Sequence, residues 1–242
     1  MFNIRDKVWN ENKSIWKDYI PEKKSIKYFY NHEEYINETC KHIPNVQILK
    51  NDTLDSAFKI IKLGYNPLIL NMADIYSPGG CIDAGAGMQE ESLFRRSNYH
   101  RHLIKEDLYP IETDAAIYSP NVCVFRDNEN NNYVNIGFNY LSFVACPALS
   151  MPQLDPKDQD KFTQEDEQIF RNKIRLIFQI AHKNNHDSLI LGALGCGAFG
   201  CPVKHVAKLF FEEIQNCKYQ FLIIVFSIFG KNYELFKDYF KA

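Results

Sequence analysis

The chain of 242 residues lacks the features that mark membrane-spanning, disulfide-rich and structural zinc proteins. No apolar run approaches the roughly 18 residues that a spanning helix needs, and residues 1–6 lack the apolar core of a signal peptide. The cysteines form an odd, scattered set without a CxxC pair, unlike a disulfide framework or a zinc site. We therefore expect a soluble, intracellular, cytoplasmic protein with reduced thiols at Cys40, Cys81, Cys123, Cys146, Cys196, Cys201 and Cys217.

The chain also lacks an excess of charge of either sign, since 28 basic and 30 acidic side chains leave a formal net charge of −2. General electrostatic attraction to nucleic acid or to an anionic membrane is therefore not expected, and an anionic ligand must be held locally. The absence of a GxxxxGKS or GxxxxGKT motif disfavours NTP hydrolysis of the P-loop kind. The length and the 45% hydrophobic content suit one large globular domain.

Short apolar runs alternate with helical patterns along most of the chain. Strands are predicted at residues 46–49, 67–72, 140–146, 188–194 and 221–226, and a polar turn at 128–132 suits a hairpin. Helices are predicted at residues 54–63, 88–97, 163–183, 202–214 and 232–240. Because buried strands that alternate with helices form sheets covered on both faces, we expect a largely parallel or mixed sheet. Residues 1–45 have weak periodicity and are expected to pack as an accessory extension on a core of residues 46–242.

Two adjacent carboxylates, Glu90 and Glu91, follow the segment Pro78-Gly79-Gly80-Cys81 after eight intervening residues. The glycines let backbone amides approach a ligand closely. If both carboxylates face one pocket, one can keep a raised pKa and act as an acid while the other stays ionised, which suits glycosidic chemistry. Glutamate pairs are also favoured in the first turn of a helix, so the pair alone leaves both interpretations open.

A second glycine-rich segment, GCGAFG at residues 195–200, lies between a predicted strand and a predicted helix. Backbone N–H groups and the helix dipole can bind a diphosphate at such a junction. The segment formally matches GxGxxG, but a dinucleotide-binding fold also needs an acidic residue at the end of the next strand, where this chain has Phe226 and Ser227. A phosphate-binding loop is therefore favoured over an NAD-dependent oxidoreductase. Phe229 at the same sheet edge can stack on a base and Phe199 can contact a ribose, although each alone is more often a core residue.

In combination, these segments resemble the microbial type of poly(ADP-ribose) glycohydrolase, a macrodomain family. LNMA at residues 70–73, the glycines at 79–80 and QEE at 89–91 resemble the family signature, in which a glycine triplet precedes QEE. YSPNV at 118–122 with VFRD at 124–127 resembles a second family block, and LGALGCGAFG at 191–200 resembles a third. The resemblance implies a macrodomain-like three-layer α/β/α sandwich with a mixed central sheet and an N-terminal helical extension.

The resemblance also implies a role for each part of the site. Glu91 would be the catalytic acid and would then activate water, and Glu90 would hold the hydroxyls of the ribose that is cleaved. The loop at 195–200 would bind the diphosphate, Phe229 would stack on adenine, and Phe199 would support the distal ribose. The implied substrate-binding set comprises Asn71, Asp74, Gly79, Gly80, Cys81, Gln89, Gly195, Cys196, Gly197, Ala198, Phe199, Gly200 and Phe229. No metal and no cofactor is implied.

Two residues depart from the family pattern. The third glycine of the signature is Cys81, whose side chain is expected to narrow the space beside the ribose. Asp74 stands where many macrodomains carry a ribose-binding asparagine, and it adds negative charge near a diphosphate. The resemblance therefore implies cleavage of the ribose–ribose bonds of poly(ADP-ribose), with a mono-ADP-ribosyl side-chain hydrolase, for example on arginine, or a non-catalytic ADP-ribose-binding module as alternatives. The expected partners are ADP-ribose, poly(ADP-ribose) or ADP-ribosylated proteins, with no direct nucleic-acid binding, no membrane binding and a monomeric state.

Overall fold

A computed structural model describes residues 4–37, 42–104 and 107–240. Cys40 lies outside these residues, and the other six cysteines are free thiols. The strands in this part of the chain are β1 (Ile26–Phe29), β2 (Asn45–Leu49), β3 (Pro67–Asn71), β4 (Ala115–Arg126), β5 (Asn135–Ala145), β6 (Leu154–Asp155), β7 (Asp158–Phe162), β8 (Ser188–Leu191) and β9 (Ile223–Ser227). The α-helices are α1 (Ile4–Ile15), α2 (His32–Asn37), α3 (Thr53–Lys62), α4 (Gln89–Arg96), α5 (Tyr99–Leu103), α6 (Gln164–Lys183), α7 (Val203–Gln215) and α8 (Asn232–Tyr239).

Seven of the strands form one mixed sheet in the order β1-β4-β5-β3-β8-β9-β2. Strands β5, β3, β8, β9 and β2 run parallel, so that Ile69 of β3 pairs with Phe143 of β5 on one side and Ile190 of β8 on the other. Strand β4 is antiparallel to β5 and to β1. Strands β6 and β7 form a separate two-stranded ribbon. The parallel strands therefore end at a common edge, where loops from different parts of the chain meet.

Alternate residues of the central strands pack on opposite faces of the sheet. Leu68 and Leu70 lie in a cluster with α6, α7 and α8. Ile69 lies in the other cluster, with α1, α3, α4 and α5. Because both faces are covered, every residue of β3, β8 and β9 is buried. The predicted three-layer α/β/α sandwich with a mixed sheet is confirmed.

Helix starts in this fold follow local capping. Asp52 accepts the N–H groups of Leu54 and Asp55 at 2.8 and 3.1 Å, so α3 begins at the next residue. The hydroxyl of Thr163 accepts the N–H of Asp166 at 3.4 Å at the start of α6. Pro202 precedes α7 in an extended conformation. The predicted starts of these three helices are therefore confirmed.

The sequence patterns miss strand β4, because its apolar residues are interrupted at Ser119, Pro120 and Asn121. The pairing of β4 with β5 shifts register between Ser119 and Val122, and Asn121 has a φ of 55°. Such a β-bulge carries the strand past the polar interruption. The hairpin turn at 128–132 is confirmed, whereas β5 begins earlier than predicted and β8 ends at Leu191 rather than at residue 194. Strands β1, β6 and β7 are also absent from the sequence-based prediction.

The first part of the described chain is integrated into the sheet. Strand β1 pairs with β4, and α1 packs beside α4 with Trp9 in the shared core. The side chain of Asn12 is fully buried. In the residues that the structure describes, no helix has the length and apolar character required to cross a membrane.

Candidate active site

The carboxyl ends of β3, β8 and β9 open into a cleft of about 610 Å³. Residues that follow β3 and β8 line it, together with Ser227 at the end of β9 and the first turn of α4. Glu90 and Glu91 line it, and so do Gly195, Gly197 and Ala198. The cleft has the size expected for a small-molecule ligand, and it joins the two segments that the sequence singled out.

The acidic pair lies in the first turn of α4. Glu90 is 4% exposed and Glu91 is 6% exposed, although both line the cleft. Buried carboxyl groups require hydrogen-bond donors, because an unpaired charge is costly to remove from water. The donors therefore decide what each glutamate can do.

Glu90 is fixed by two N–H donors. Its Oε1 accepts from Asn71 Nδ2 at 3.0 Å, and its Oε2 accepts from the backbone N–H of Asp74 at 2.8 Å. Burial outweighs these bonds and raises the pKa of Glu90 to about 7. The sequence predicts a raised pKa for one carboxyl group of the pair, and in the structure that group is Glu90. Its donors are the last residue of β3, Asn71, and a residue that follows β3, Asp74.

Glu91 is held on one side only. Its Oε1 accepts from the backbone N–H of Cys81 at 3.2 Å. Its Oε2 is buried and has no hydrogen-bond partner among the described residues. Glu91 itself lines the cleft, and Oε2 is the carboxyl oxygen of the pair that no hydrogen bond within the described residues engages.

Gly79 and Gly80 are required by the close approach of their loop to α4. A Cβ on Gly80 would lie 3.1 Å from Glu91 Oε1 and 3.3 Å from Glu90 Oε2. A Cβ on Gly79 would lie 2.9 Å from the ring of Phe94. Both glycines have positive φ angles, of 87° and 53°, that disfavour other residues.

The side-chain amide of Gln89 forms hydrogen bonds with the backbone at the carboxyl end of β3. Its Oε1 accepts from the N–H of Met72 at 3.0 Å, and its Nε2 donates to the carbonyl of Leu70 at 2.7 Å. Asp74 has a similar local role, because its Oδ1 accepts the N–H groups of Tyr76 and Ser77 at 2.8 and 2.9 Å. Both residues line the cleft, and their side-chain hydrogen bonds hold the backbone of the cleft wall in place.

The loop at residues 195–200 turns with positive φ at both of its end glycines, Gly195 and Gly200. The N–H of Gly200 bonds to the carbonyl of Gly197. In the part of the chain that the structure describes, the N–H groups of Gly197, Ala198 and Phe199 have no hydrogen-bond partner. Consecutive unpaired amides before a helix form a site suited to a phosphate.

Nine of the thirteen predicted substrate-binding residues line the cleft, together with both glutamates: Asp74, Gly80, Cys81, Gln89, Gly195, Gly197, Ala198, Phe199 and Phe229. Asn71, Gly79, Cys196 and Gly200 are not part of its wall. Asn71 supports Glu90 from behind, and the thiol of Cys196 packs against the core, where burial raises its pKa.

Sequence reasoning missed several residues of the cleft. The hydroxyl of Ser227 and the Oδ1 of Asn232 are buried there without a partner among the described residues. Met88 also lines the cleft, and its side chain reaches the glycine loop: a Cβ on Gly197 would lie 3.7 Å from Met88 Cε. Ser227 ends a buried parallel strand, and that position was the available signal, since ligands bind at the carboxyl ends of such strands.

Three buried histidines are not part of the wall of this cleft. His100, His102 and His205 are buried, and the Nδ1 of His205 accepts the N–H of Phe162 at 2.9 Å. Within residues 4–37, 42–104 and 107–240, His, Cys, Asp and Glu side chains form no cluster of three that suits a metal ion.

The mixed sheet, its helical layers and the acidic cleft at the strand ends define a macrodomain-like α/β/α protein. The family model described as "Microbial-type PARG, catalytic domain" matches residues 8–127, where PARG denotes poly(ADP-ribose) glycohydrolase. Over residues 8–127, just under half of its length, the chain is therefore similar to the catalytic domain of this microbial-type family.

Solved structures share the fold across nearly the whole chain. The poly(ADP-ribose) glycohydrolase of Thermomonospora curvata is 21% identical with a TM-score of 0.81, and the match covers 97% of this chain and 98% of that one. The same enzyme bound to the inhibitor ADP-HPD gives a TM-score of 0.77 at 21% identity, with the same coverage. The Deinococcus radiodurans enzyme in complex with ADP-ribose has a TM-score of 0.74 at 21% identity, covering 90% of this chain and 94% of that chain. A comparison with curated proteins gave no match.

Proposed function

We propose that the chain hydrolyses the ribose–ribose O-glycosidic bonds of poly(ADP-ribose) and releases ADP-ribose. One observation carries the proposal: a buried acidic pair and a loop of unpaired amides line one and the same cleft of about 610 Å³. A carboxyl group can protonate the leaving oxygen as positive charge develops on the ribose, while amides hold a diphosphate at a fixed distance. Both requirements of the reaction are met by residues of the same cleft.

Glu91 is the proposed acid and base. Its unpartnered Oε2 donates a proton to the leaving ribose oxygen as the glycosidic bond breaks. The resulting carboxylate then takes a proton from the water that attacks the anomeric carbon, so Glu91 ends in its starting protonation state. Glu90 is the rival candidate because its pKa is raised to about 7. Its two oxygens are engaged by Asn71 and Asp74, however, and this geometry suits a fixed acceptor for ribose hydroxyls.

The remaining subsites follow from position in the cleft. The amides at Gly197, Ala198 and Phe199 are proposed to bind the diphosphate. Phe229 is 63% exposed on the cleft wall and is proposed to stack on adenine, while Phe199 supports the distal ribose. The Deinococcus radiodurans relative was solved with ADP-ribose, which supports the choice of ligand.

A second candidate activity is the release of a single ADP-ribose from a protein side chain. Cys81 is exposed in the cleft, and its own amide holds Glu91, so its side chain lies at the edge of the reacting centre. A thiol at that position narrows the space for a second ribose of a polymer. The third candidate, a non-catalytic ADP-ribose-binding module, is disfavoured because binding alone requires neither buried carboxylate.

A product assay separates these candidates. The purified chain is incubated with poly(ADP-ribose) and, in parallel, with proteins that carry single ADP-ribose groups on arginine, glutamate or serine. Release of ADP-ribose that is fastest from the polymer is the expected result. Release from one of the mono-modified proteins alone would identify a side-chain hydrolase, and binding of ADP-ribose without release from any substrate would identify a binding module.

A further inference from the structure

Helix α1 contacts both segments that hold Glu91. One of these is α4 itself, because Asn12 Nδ2 donates to the carbonyls of Phe94 and Arg95 at 3.3 and 2.7 Å. The last carbonyls of a helix have no partner within the helix, so this fully buried side chain satisfies two of them. The C-terminal end of α4 is thereby fixed to α1.

The other segment is the last part of the connection from β3 to α4, residues 79–88, which we call the carboxylate loop. Trp9 Nε1 donates to Asp83 Oδ1 at 2.7 Å, and Lys13 Nζ lies 3.1 Å from the same oxygen. These bonds, first that of Trp9 and then that of Lys13, lower the pKa of Asp83. Asp83 lies in the 3₁₀ turn Ile82–Ala84 that directly follows Cys81. The turn is therefore tied to α1 by a charged acceptor.

Arg5 forms a further contact between α1 and this loop. Its Nη1 donates to the carbonyl of Gly85 at 3.2 Å, and its Nη2 forms an ion pair with Glu129 at 2.9 Å. A Cβ on Gly87 would overlap the guanidinium group, because its three nearest atoms are all from Arg5. Gly87 also lines the cleft. The guanidinium group therefore lies directly behind the cleft wall.

We propose that α1 positions the carboxylate loop for the reaction, with Arg5 and Trp9 as positioning residues. The inference rests on the proposed role of Glu91. Neither residue lines the cleft, and both act through the loop whose Cys81 amide holds Glu91 Oε1. Loop residues 79, 80, 85 and 87 are glycines, so the loop gains little rigidity from its own sequence. Small displacements of a catalytic carboxyl group reduce turnover more than they reduce binding at the distant diphosphate and adenine subsites.

A double-mutant cycle tests the contact between Arg5 and Gly87. Arg5→Ala and Gly87→Ala are each expected to reduce kcat on poly(ADP-ribose) about tenfold, because each removes the guanidinium group from behind the loop. In the Arg5→Ala background the added methyl group has space, so the double variant is expected to lose about tenfold as well rather than about a hundredfold. Multiplication of the two single losses would overturn the inference.

Trp9→Phe is the conservative variant, since it keeps an aromatic side chain in the core, although a smaller one, and loses the Nε1–H that bonds Asp83. It is expected to lower kcat several-fold, with ADP-ribose affinity by calorimetry within about threefold of wild type. Lys183→Ala is the matched control, because it removes an ion pair of 2.8 Å with Glu34 where α6 ends, just before the amino end of β8. Its kcat is expected to equal that of wild type.

The outcomes separate the two proposals. A wild-type chain that neither binds nor releases ADP-ribose would reject the proposed function. A fully active wild type whose Arg5→Ala, Gly87→Ala and Trp9→Phe variants retain wild-type kcat would reject the positioning role alone. Equal losses in kcat and in ADP-ribose affinity would also reject it, because they would indicate a general structural defect.

Discussion

Replacement of Glu90 by glutamine is expected to stabilise the folded chain at alkaline pH. Burial raises the pKa of this carboxyl group from 4.5 to about 7. As the pH rises through this window, the unfolded chain releases a proton that the folded chain still holds, so the free energy of unfolding falls. At about 1.4 kcal/mol per pH unit, the folded state has lost about 3 kcal/mol once the pH exceeds 7. A neutral amide removes this pH-dependent loss.

The surroundings of Glu90 accept an amide of the same shape. One oxygen still accepts the N–H of Asp74, which lies 2.8 Å from Oε2. The new NH₂ group faces Asn71. In the wild-type chain, Asn71 Nδ2 donates to Glu90 Oε1, and Asn71 Oδ1 has no partner among the described residues. Rotation of the Asn71 amide turns that Oδ1 into the acceptor. Both hydrogen bonds are therefore retained, and the full electrostatic gain is expected to appear.

Denaturant and thermal unfolding at pH 5 and pH 8.5 measure the effect. At pH 8.5, Glu90→Gln is expected to be about 3 kcal/mol more stable than wild type, which corresponds to a rise in Tm of about 6 to 12 °C. At pH 5 the difference is expected to shrink below about 1 kcal/mol. Turnover on poly(ADP-ribose) is expected to fall, since the amide has lost the charge that accepts ribose hydroxyls. Glu33→Gln, at an exposed position, controls for the loss of one carboxylate. A variant that is less stable at pH 8.5, or equally shifted at both pH values, would refute this reasoning.

Three further substitutions test other parts of the site. Cys81→Gly is expected to raise turnover on polymer because it removes an exposed thiol from the cleft, and unchanged rates on both polymer and mono-modified protein would count against this. Phe229→Ala is expected to weaken ADP-ribose binding by calorimetry about tenfold, the loss of one stacking contact, without changing stability; unaltered affinity would exclude stacking there. Gly195→Ala is expected to reduce the free energy of unfolding by about 2 to 3 kcal/mol, because its Cβ would lie 2.5 Å from Cys201 Sγ and 2.6 Å from Ala148 Cβ at a φ of 74°, and wild-type stability would contradict that clash.

Continuous apolar runs made the centre of the fold predictable. Strands β3, β8 and β9 are buried on both faces, so each appears in the sequence as an unbroken hydrophobic segment. Strand β4 is equally central, but Ser119, Pro120 and Asn121 break its pattern at a bulge. Only the pairing with β5 reveals that the chain continues as a strand. The sequence therefore predicts layers and helix starts better than it predicts irregular strands.

The candidate site was predictable where it follows buried strands. Residues after β3 and β8 were identified because parallel strands end at a common edge. The hydrogen bonds of Asn71 to Glu90 and of Gln89 to the β3 backbone could not be predicted, because they depend on how α4 packs against the sheet. The contact of Arg5 with the carboxylate loop spans about eighty positions and leaves no local pattern in the sequence.

The variant Glu91→Gln tests the proposed reaction most directly. The rate at which it releases ADP-ribose from poly(ADP-ribose) is measured together with its Kd for ADP-ribose. The substitution keeps the shape of the side chain and removes the proton that Oε2 is proposed to deliver. We expect release to fall at least about a hundredfold while the Kd for ADP-ribose stays within about threefold of wild type. Release at the wild-type rate would contradict the assignment of Glu91 as the acid of this cleft.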